Sequence, residues 1–174
     1  MKTKINTKKI CTIAMLVAIA FVLGALTIRP DDMNKISFKF LPVFVCSALY
    51  GPISGGLCGA LADILSYLLN PGSGPLYLPI TFIEFLYGFS FGVFFHKSAC
   101  LNKKNVLKVS LCVILNTLIL SLGIMSFILM NLYGQPYIYI LMRRILFSGI
   151  ITMIIQFIGI SSLLRYMPLL KKIA

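Results

Sequence analysis

Apolar runs long enough to cross a lipid bilayer recur along nearly the whole chain, and that recurrence restricts the fold more than any motif does. Inside hydrocarbon each backbone N–H and C=O must find its partner within the protein, so runs of this kind fold as α-helices. The first extends from about Lys8 to Ile28, a length that spans the membrane, and Arg29-Pro30-Asp31-Asp32 stops it. It begins after a Lys-rich start and contains Ala18-Ile19-Ala20, as a secretory signal would, but its length and the runs that follow favour retention as helix one. A shorter helix two is expected from about Ile36 to Tyr50, ending at Gly51-Pro52, where the proline disfavours helix at Gly51 and opens helix three. Helix three runs to about Asn70, helix four from Pro79 to His96, helix five from Val106 to Met130 and helix six from Tyr137 to Tyr166. Pro71-Gly72-Ser73-Gly74-Pro75 and Tyr133-Gly134-Gln135-Pro136 read as turns between them.

Composition agrees, with 59% apolar and 11% charged residues against roughly 25% charged in a soluble domain. A formal charge of +12 would suit nucleic acid if the bases formed one patch, but they lie between the spans, so no nucleic-acid partner is expected. Lys2, Lys4, Lys8 and Lys9 precede helix one, Lys97, Lys103, Lys104 and Lys108 fill the connection after helix four, and Arg165, Lys171 and Lys172 close the chain. Only Arg29, Lys35, Lys39, Arg143 and Arg144 fall on the other side. The bias places both termini in the cytoplasm and the connections after helices one, three and five outside. The expected architecture is an all-α, single-domain membrane protein of six transmembrane helices occupying residues 1–174.

Chemistry has few places to sit. Cys11, Cys46, Cys58, Cys100 and Cys112 show no ligand spacing and read as free thiols, so neither metal nor cofactor is expected. There is no phosphate-binding glycine loop, HExxH or nucleophile elbow, and His96 lies at the basic cytoplasmic edge, far from Asp63, so the chain is not read as an enzyme. The informative groups are ionisable residues within spans, each of which costs about 2.5 to 3.5 kcal/mol at the centre of a helix. Asp63, Glu84 and Arg144 are three such groups, and at 1.5 Å per residue they lie roughly 7 to 11 Å below the outer ends of their helices. Similar depth on three helices predicts one cavity. Gly59, Asp63, Ser66, Tyr67 and Asn70 share one face of helix three, and Arg144, Ser148, Thr152 and Gln156 recur every four residues on helix six. Helix five adds Asn116, Thr117 and Ser121 more weakly. The plain alternative is that Asp63 or Glu84 pairs with Arg144 and holds helices together. Gly55-Gly56-Gly59-Ala60 reads as helix packing, Ala14 and Ala18 as either internal packing or a strip for another subunit, and Tyr77, Tyr133, Tyr137 and Tyr139 as an interfacial belt.

Two stretches carry a family likeness. Ile36-Ser37-Phe38-Lys39-Phe40-Leu41-Pro42, with Tyr50-Gly51-Pro52-Ile53-Ser54-Gly55-Gly56 and Gly59-Ala60-Leu61-Ala62-Asp63, resembles helices two and three of folate-type substrate-binding subunits (S components) of energy-coupling factor (ECF) transporters. Asn116-Thr117, Tyr133-Gly134-Gln135-Pro136 and Arg144 resemble the fifth helix, fifth loop and sixth helix of the same family. Leu78-Pro79-Ile80-Thr81-Phe82 departs from the Pro-Gly-Phe-Thr run of many relatives, and Glu84 has no place in the family pattern. The resemblance implies a six-helix receptor with an outward-facing vitamin pocket, partnered by a transmembrane coupling protein and two cytoplasmic ABC ATPases, with Ala14 and Ala18 on the coupling surface. Folate suits such a pocket: its pterin donates side by side to a carboxylate such as Asp63 or Glu84, and its anionic glutamate end suits Arg144, with Arg29, Lys35 and Lys39 beside it. Phe38, Phe40, Tyr67 and Tyr77 are expected to stack on the rings, and Ser66 to line the site. Another vitamin such as thiamine, a queuosine precursor, or an independent proton-coupled carrier stand as alternatives.

Overall fold

The computed structural model describes residues 7–25, 28–31, 34–69, 78–96, 103–145 and 149–173. Helix α1 (Thr7–Ala25) is followed by a short antiparallel hairpin, β1 (Ile28–Asp31) with β2 (Asn34–Ile36). Then come α2 (Phe40–Tyr50), α3 (Pro52–Leu69), α4 (Leu78–Phe95), and α5 (Lys103–Leu115), which runs through a π-helical segment, Asn116–Ile124, into α6 (Met125–Tyr133). Helices α7 (Tyr137–Arg144) and α8 (Ile150–Ile173) complete it. Thr7–Ala25, Leu78–Phe95 and Leu107–Leu132 are long and apolar enough to cross a membrane, and Phe40–Tyr50, Pro52–Leu68 and Ile151–Tyr166 are shorter apolar helices.

The order follows the hydrophobic runs, with two departures. Helix one ends at Ala25 and helix two starts at Phe40, so Ile36, expected in helix, pairs instead with Ile28 in the hairpin. β-branched isoleucines at those positions suit a strand. The fifth helix is not uniformly α, and the sixth is described as two stretches, with residues 146–148, including Ser148, outside the described residues.

Small residues determine how the helices meet. Between hydrocarbon-embedded helices there is no water to expel, so close packing takes the place of the hydrophobic effect. A Cβ at Gly59 would stand 2.6 Å from the Glu84 carbonyl oxygen, one at Gly88 would strike the Gly55 backbone, and one at Gly92 the Pro52 backbone. Helices α3 and α4 therefore touch backbone to backbone along most of their length, which is the packing expected of Gly55, Gly56 and Gly59. Ser47 of α2 fits against the same pair, its hydroxyl 2.7 Å from Val43 O and 2.8 Å from Gly88 O. The turn from α2 to α3 uses Gly51 at φ +94°, a backbone conformation that side chains oppose. Gly134 caps α6 at φ +65°, its N–H donating to Met130 O at 2.9 Å.

The main core joins α1, α2, α3, α4, α5 and α8 through Val17, Phe44, Cys58, Phe91, Val109 and Ile160. Phe44 meets Phe91 and Phe95 edge-on at centroid distances of 5.8 and 5.2 Å. A smaller cluster of Ile83, Leu120 and Ile128 ties α4 to the π segment and α6. Helix α1 is held more loosely: only Val17 and Ala20 are buried, while Ile10, Met15 and Val22 are exposed.

Candidate functional site

Lys39 closes the turn that leads from the hairpin into α2. That turn is fixed by Lys39 N–H donating to Ser37 Oγ at 3.2 Å and Leu41 N–H to Phe38 O at 3.1 Å. From it the side chain reaches across α3 and α4. Its ammonium lies 3.2 Å from Asp63 Oδ1 and 2.9 Å from Glu84 Oε1, bridging the two carboxylates. The side chain is 14% exposed, and those of Asp63 and Glu84 are 25% and 26% exposed, so the triad is shielded but not sealed. Thr81, one turn before Glu84 on α4, donates its hydroxyl to Asp63 Oδ2 at 3.0 Å. Both oxygens of Asp63 are thus engaged, whereas Glu84 has an oxygen left to accept from a ligand. The close approach of α3 to α4 at Gly59 is what lets Asp63 and Glu84 share one cation.

A second polar group lies on the other side of α4. Arg144, at the end of α7, is 7% exposed and donates from one terminal nitrogen to Ser121 Oγ at 3.2 Å. Its Nε and other terminal nitrogen, both buried, have no hydrogen-bond partner among the described residues. A buried guanidinium with two N–H positions unmatched is costly unless an anion meets it, and its planar fork fits a carboxylate. Further along the same helix face Thr152 and Gln156 also carry buried oxygens without partners.

Tyr87 joins the two groups. One turn beyond Glu84 on α4, its hydroxyl donates to Asn116 O, in the π segment that also carries Ser121, at 3.4 Å. Ser90, on the same helix, donates to Asn116 Oδ1 at 2.7 Å. The π segment carries both Asn116 and Ser121, so Tyr87 and Arg144 bond to one stretch of helix.

The expected site residues divide accordingly. Asp63, Glu84 and Lys39 come together, but Lys39 is the partner of the two acids and is not left to attract a ligand's anionic end. Among the described residues neither acid pairs with Arg144, contrary to the plain alternative: Lys39 takes both acids and Ser121 the guanidinium. Ser66 turns its hydroxyl back onto Ala62 O at 2.7 Å and packs by Gly24 of α1. Tyr67 is half-buried on α3, near the Asp63 face. The side chain of Arg29 and the whole of Tyr77 lie outside the described residues. Ala14 and Ala18 are exposed on α1, which favours an outward strip over internal packing. Thr81, Tyr87 and Ser90 were not singled out from sequence, although Thr81, Glu84 and Tyr87 follow one another at spacings of three along α4. Among the described residues no cluster of three or more His, Cys, Asp or Glu could hold a metal.

Known proteins of similar sequence and shape fall in one group. The family model described as "ECF transporter, substrate-specific component" matches residues 8–164. A folate transporter FolT of Streptococcus mutans is 29% identical over 140 residues, covering 77% of this chain and 73% of the relative. One from Leuconostoc mesenteroides is 27% identical over 135 residues, covering 77% and 70%. A crystal structure of FolT bound with folic acid superposes with a TM-score of 0.82 at 26% identity, covering 91% of this chain and 93% of that one. The S component of a bacterial ECF transporter gives a TM-score of 0.69 at 28% identity, covering 90% and 92%.

Proposed function

The chain belongs to the family of ECF transporter substrate-specific components, and from that premise we propose that it is the membrane receptor that captures folate, or a closely related pterin, for ATP-driven uptake. It is a multi-pass cell-membrane protein and a transporter component, not an enzyme. The observation that carries the folate reading is the pairing, within one FolT-like bundle, of a carboxylate group with acceptor capacity and a buried guanidinium with unmatched N–H positions. The pterin amine and ring N–H donate to the acid end, at Glu84 beside Asp63, and the anionic end of the ligand takes the open face of Arg144. Tyr87 lies between them, and Ser66, Tyr67, Arg29 and Tyr77 complete the lining of the site. Folate transporters among the relatives support this ligand class.

The full proposal is a single domain over residues 1–174, six spans, both termini cytoplasmic, and a coupling protein with two ABC ATPases as partners. The exposed Ala14 and Ala18 face the coupling protein: their small side chains let a partner helix approach closely. Folic acid titrated into the purified protein should bind tightly, and Arg144→Ala or Asp63→Asn should each weaken it at least tenfold, about 1.4 kcal/mol. Unchanged affinity in both variants would defeat the site assignment. Native mass spectrometry of protein purified without added ligand identifies what it carries from the cell, and a different vitamin there would replace folate while leaving the receptor role intact.

A further inference from the structure

Lys39 has a place in this site that attraction of an anionic ligand does not describe. Its ammonium sits between two carboxylates at 3.2 and 2.9 Å, the position where a cationic ligand would gain most from them. The ordered turn at Ser37 and Phe38 aims it there, and its stem lies against α1, where a Cβ at Gly24 would stand 3.8 Å from Lys39 Cδ. A ligand cation that displaced it would leave the ammonium unpaired in a setting where its side chain is only 14% exposed, which opposes the exchange. A neutral ring that donates N–H groups needs no such exchange, because Glu84 still has an oxygen to accept.

We infer that Lys39 is the charge-selectivity residue of the site: a built-in cation that admits neutral, N–H-donating heterocycles and excludes permanently cationic ones. The inference rests on the proposed receptor role and adds which ligand chemistry the acid end refuses. Removing Lys39 leaves two carboxylates without their counter-ion and raises affinity for a cation relative to a neutral ring. Neutralising Glu84 does the reverse, since one carboxylate fewer faces the ligand while Lys39 keeps Asp63. A lysine that only held helices together would move the stability of the protein and leave the preference between ligands where it was.

The test measures binding of three probes to the purified full chain: folic acid, 6-methylpterin as a neutral ring without carboxylates, and thiamine as a permanently cationic heterocycle. The ratio of thiamine to 6-methylpterin affinity should rise at least tenfold in Lys39→Met, stay near the starting value in Lys39→Arg, and fall in Glu84→Gln. Should Lys39→Met fail to fold, Lys39→Gln reads the same ratio in its place, with Glu84→Gln showing that the probes meet the acid end. A ratio unmoved in the folded variants, with folic acid still bound by the unaltered protein, overturns the selectivity role and leaves the folate reading standing. An unaltered protein that binds no folic acid overturns the folate reading, and this inference falls with it.

Discussion

The acid end of the site and the arginine end are built in opposite ways. Around Lys39, Asp63 and Glu84 the helices touch through glycine, one ammonium serves both carboxylates, and Thr81 takes the remaining Asp63 oxygen. Around Arg144 the fifth helix is π-wound, and buried polar atoms of Arg144, Thr152 and Gln156 lack partners among the described residues. Among the described residues every charge of the first region has an opposite charge beside it, with one Glu84 oxygen open, and the charge of the second has none. A receptor built this way holds one half of its ligand against a preformed surface and gains most from matching a charge in the other half, because a lone buried charge costs more than a matched one.

Four changes would break or sharpen that contrast. The largest is Asp63→Asn with Glu84→Gln, which strands the Lys39 ammonium. It should cost about 3 kcal/mol, the low end for a broken buried pair because the carboxylates are about a quarter exposed, read as a drop in thermal unfolding temperature in detergent. Next, Gly88→Val forces α3 and α4 apart at Gly55 and should lose roughly 2 to 3 kcal/mol by the same measurement. Arg144→Met goes the other way: with no ligand present it should stabilise the protein by about 1 kcal/mol, since an incompletely matched charge leaves the interior, while folic acid binding falls at least tenfold. A fall in stability with that substitution would mean that the arginine end is matched after all. The smallest is Ser90→Ala, which removes the bond to Asn116 Oδ1 and should cost about 1 kcal/mol with little change in ligand affinity.

Much of the fold was legible because hydrophobic runs and their Pro and Gly boundaries are local signals. The Gly51-Pro52 hinge, the Gly134 turn and the glycine face of α3 fall where the sequence puts them. The site was half legible. Asp63, Glu84 and Arg144 stand out because any charge within a span does, but their pairing does not follow from spacing. Lys39 reads as the outer start of helix two, beside the first loop, and only the short hairpin and the late start of α2 bring it down onto the acids. Asn116 and Ser121 look weakly related at α-helical spacing, since only the wider turn of the π segment brings residues five apart toward one face. Thr81 and Tyr87 carry no charge and so do not stand out in an apolar run.

By itself the sequence determined that this chain folds as a bundle of apolar helices, that α3 packs closely on a neighbour, and that three charges lie within spans. The tertiary structure alone decided which base the acids hold and which group the arginine lacks. The physical reason is range: hydrophobicity and backbone preference act between residues a turn or two apart, whereas Lys39, Asp63 and Glu84 meet across three helices, at a separation in sequence that no local pattern records.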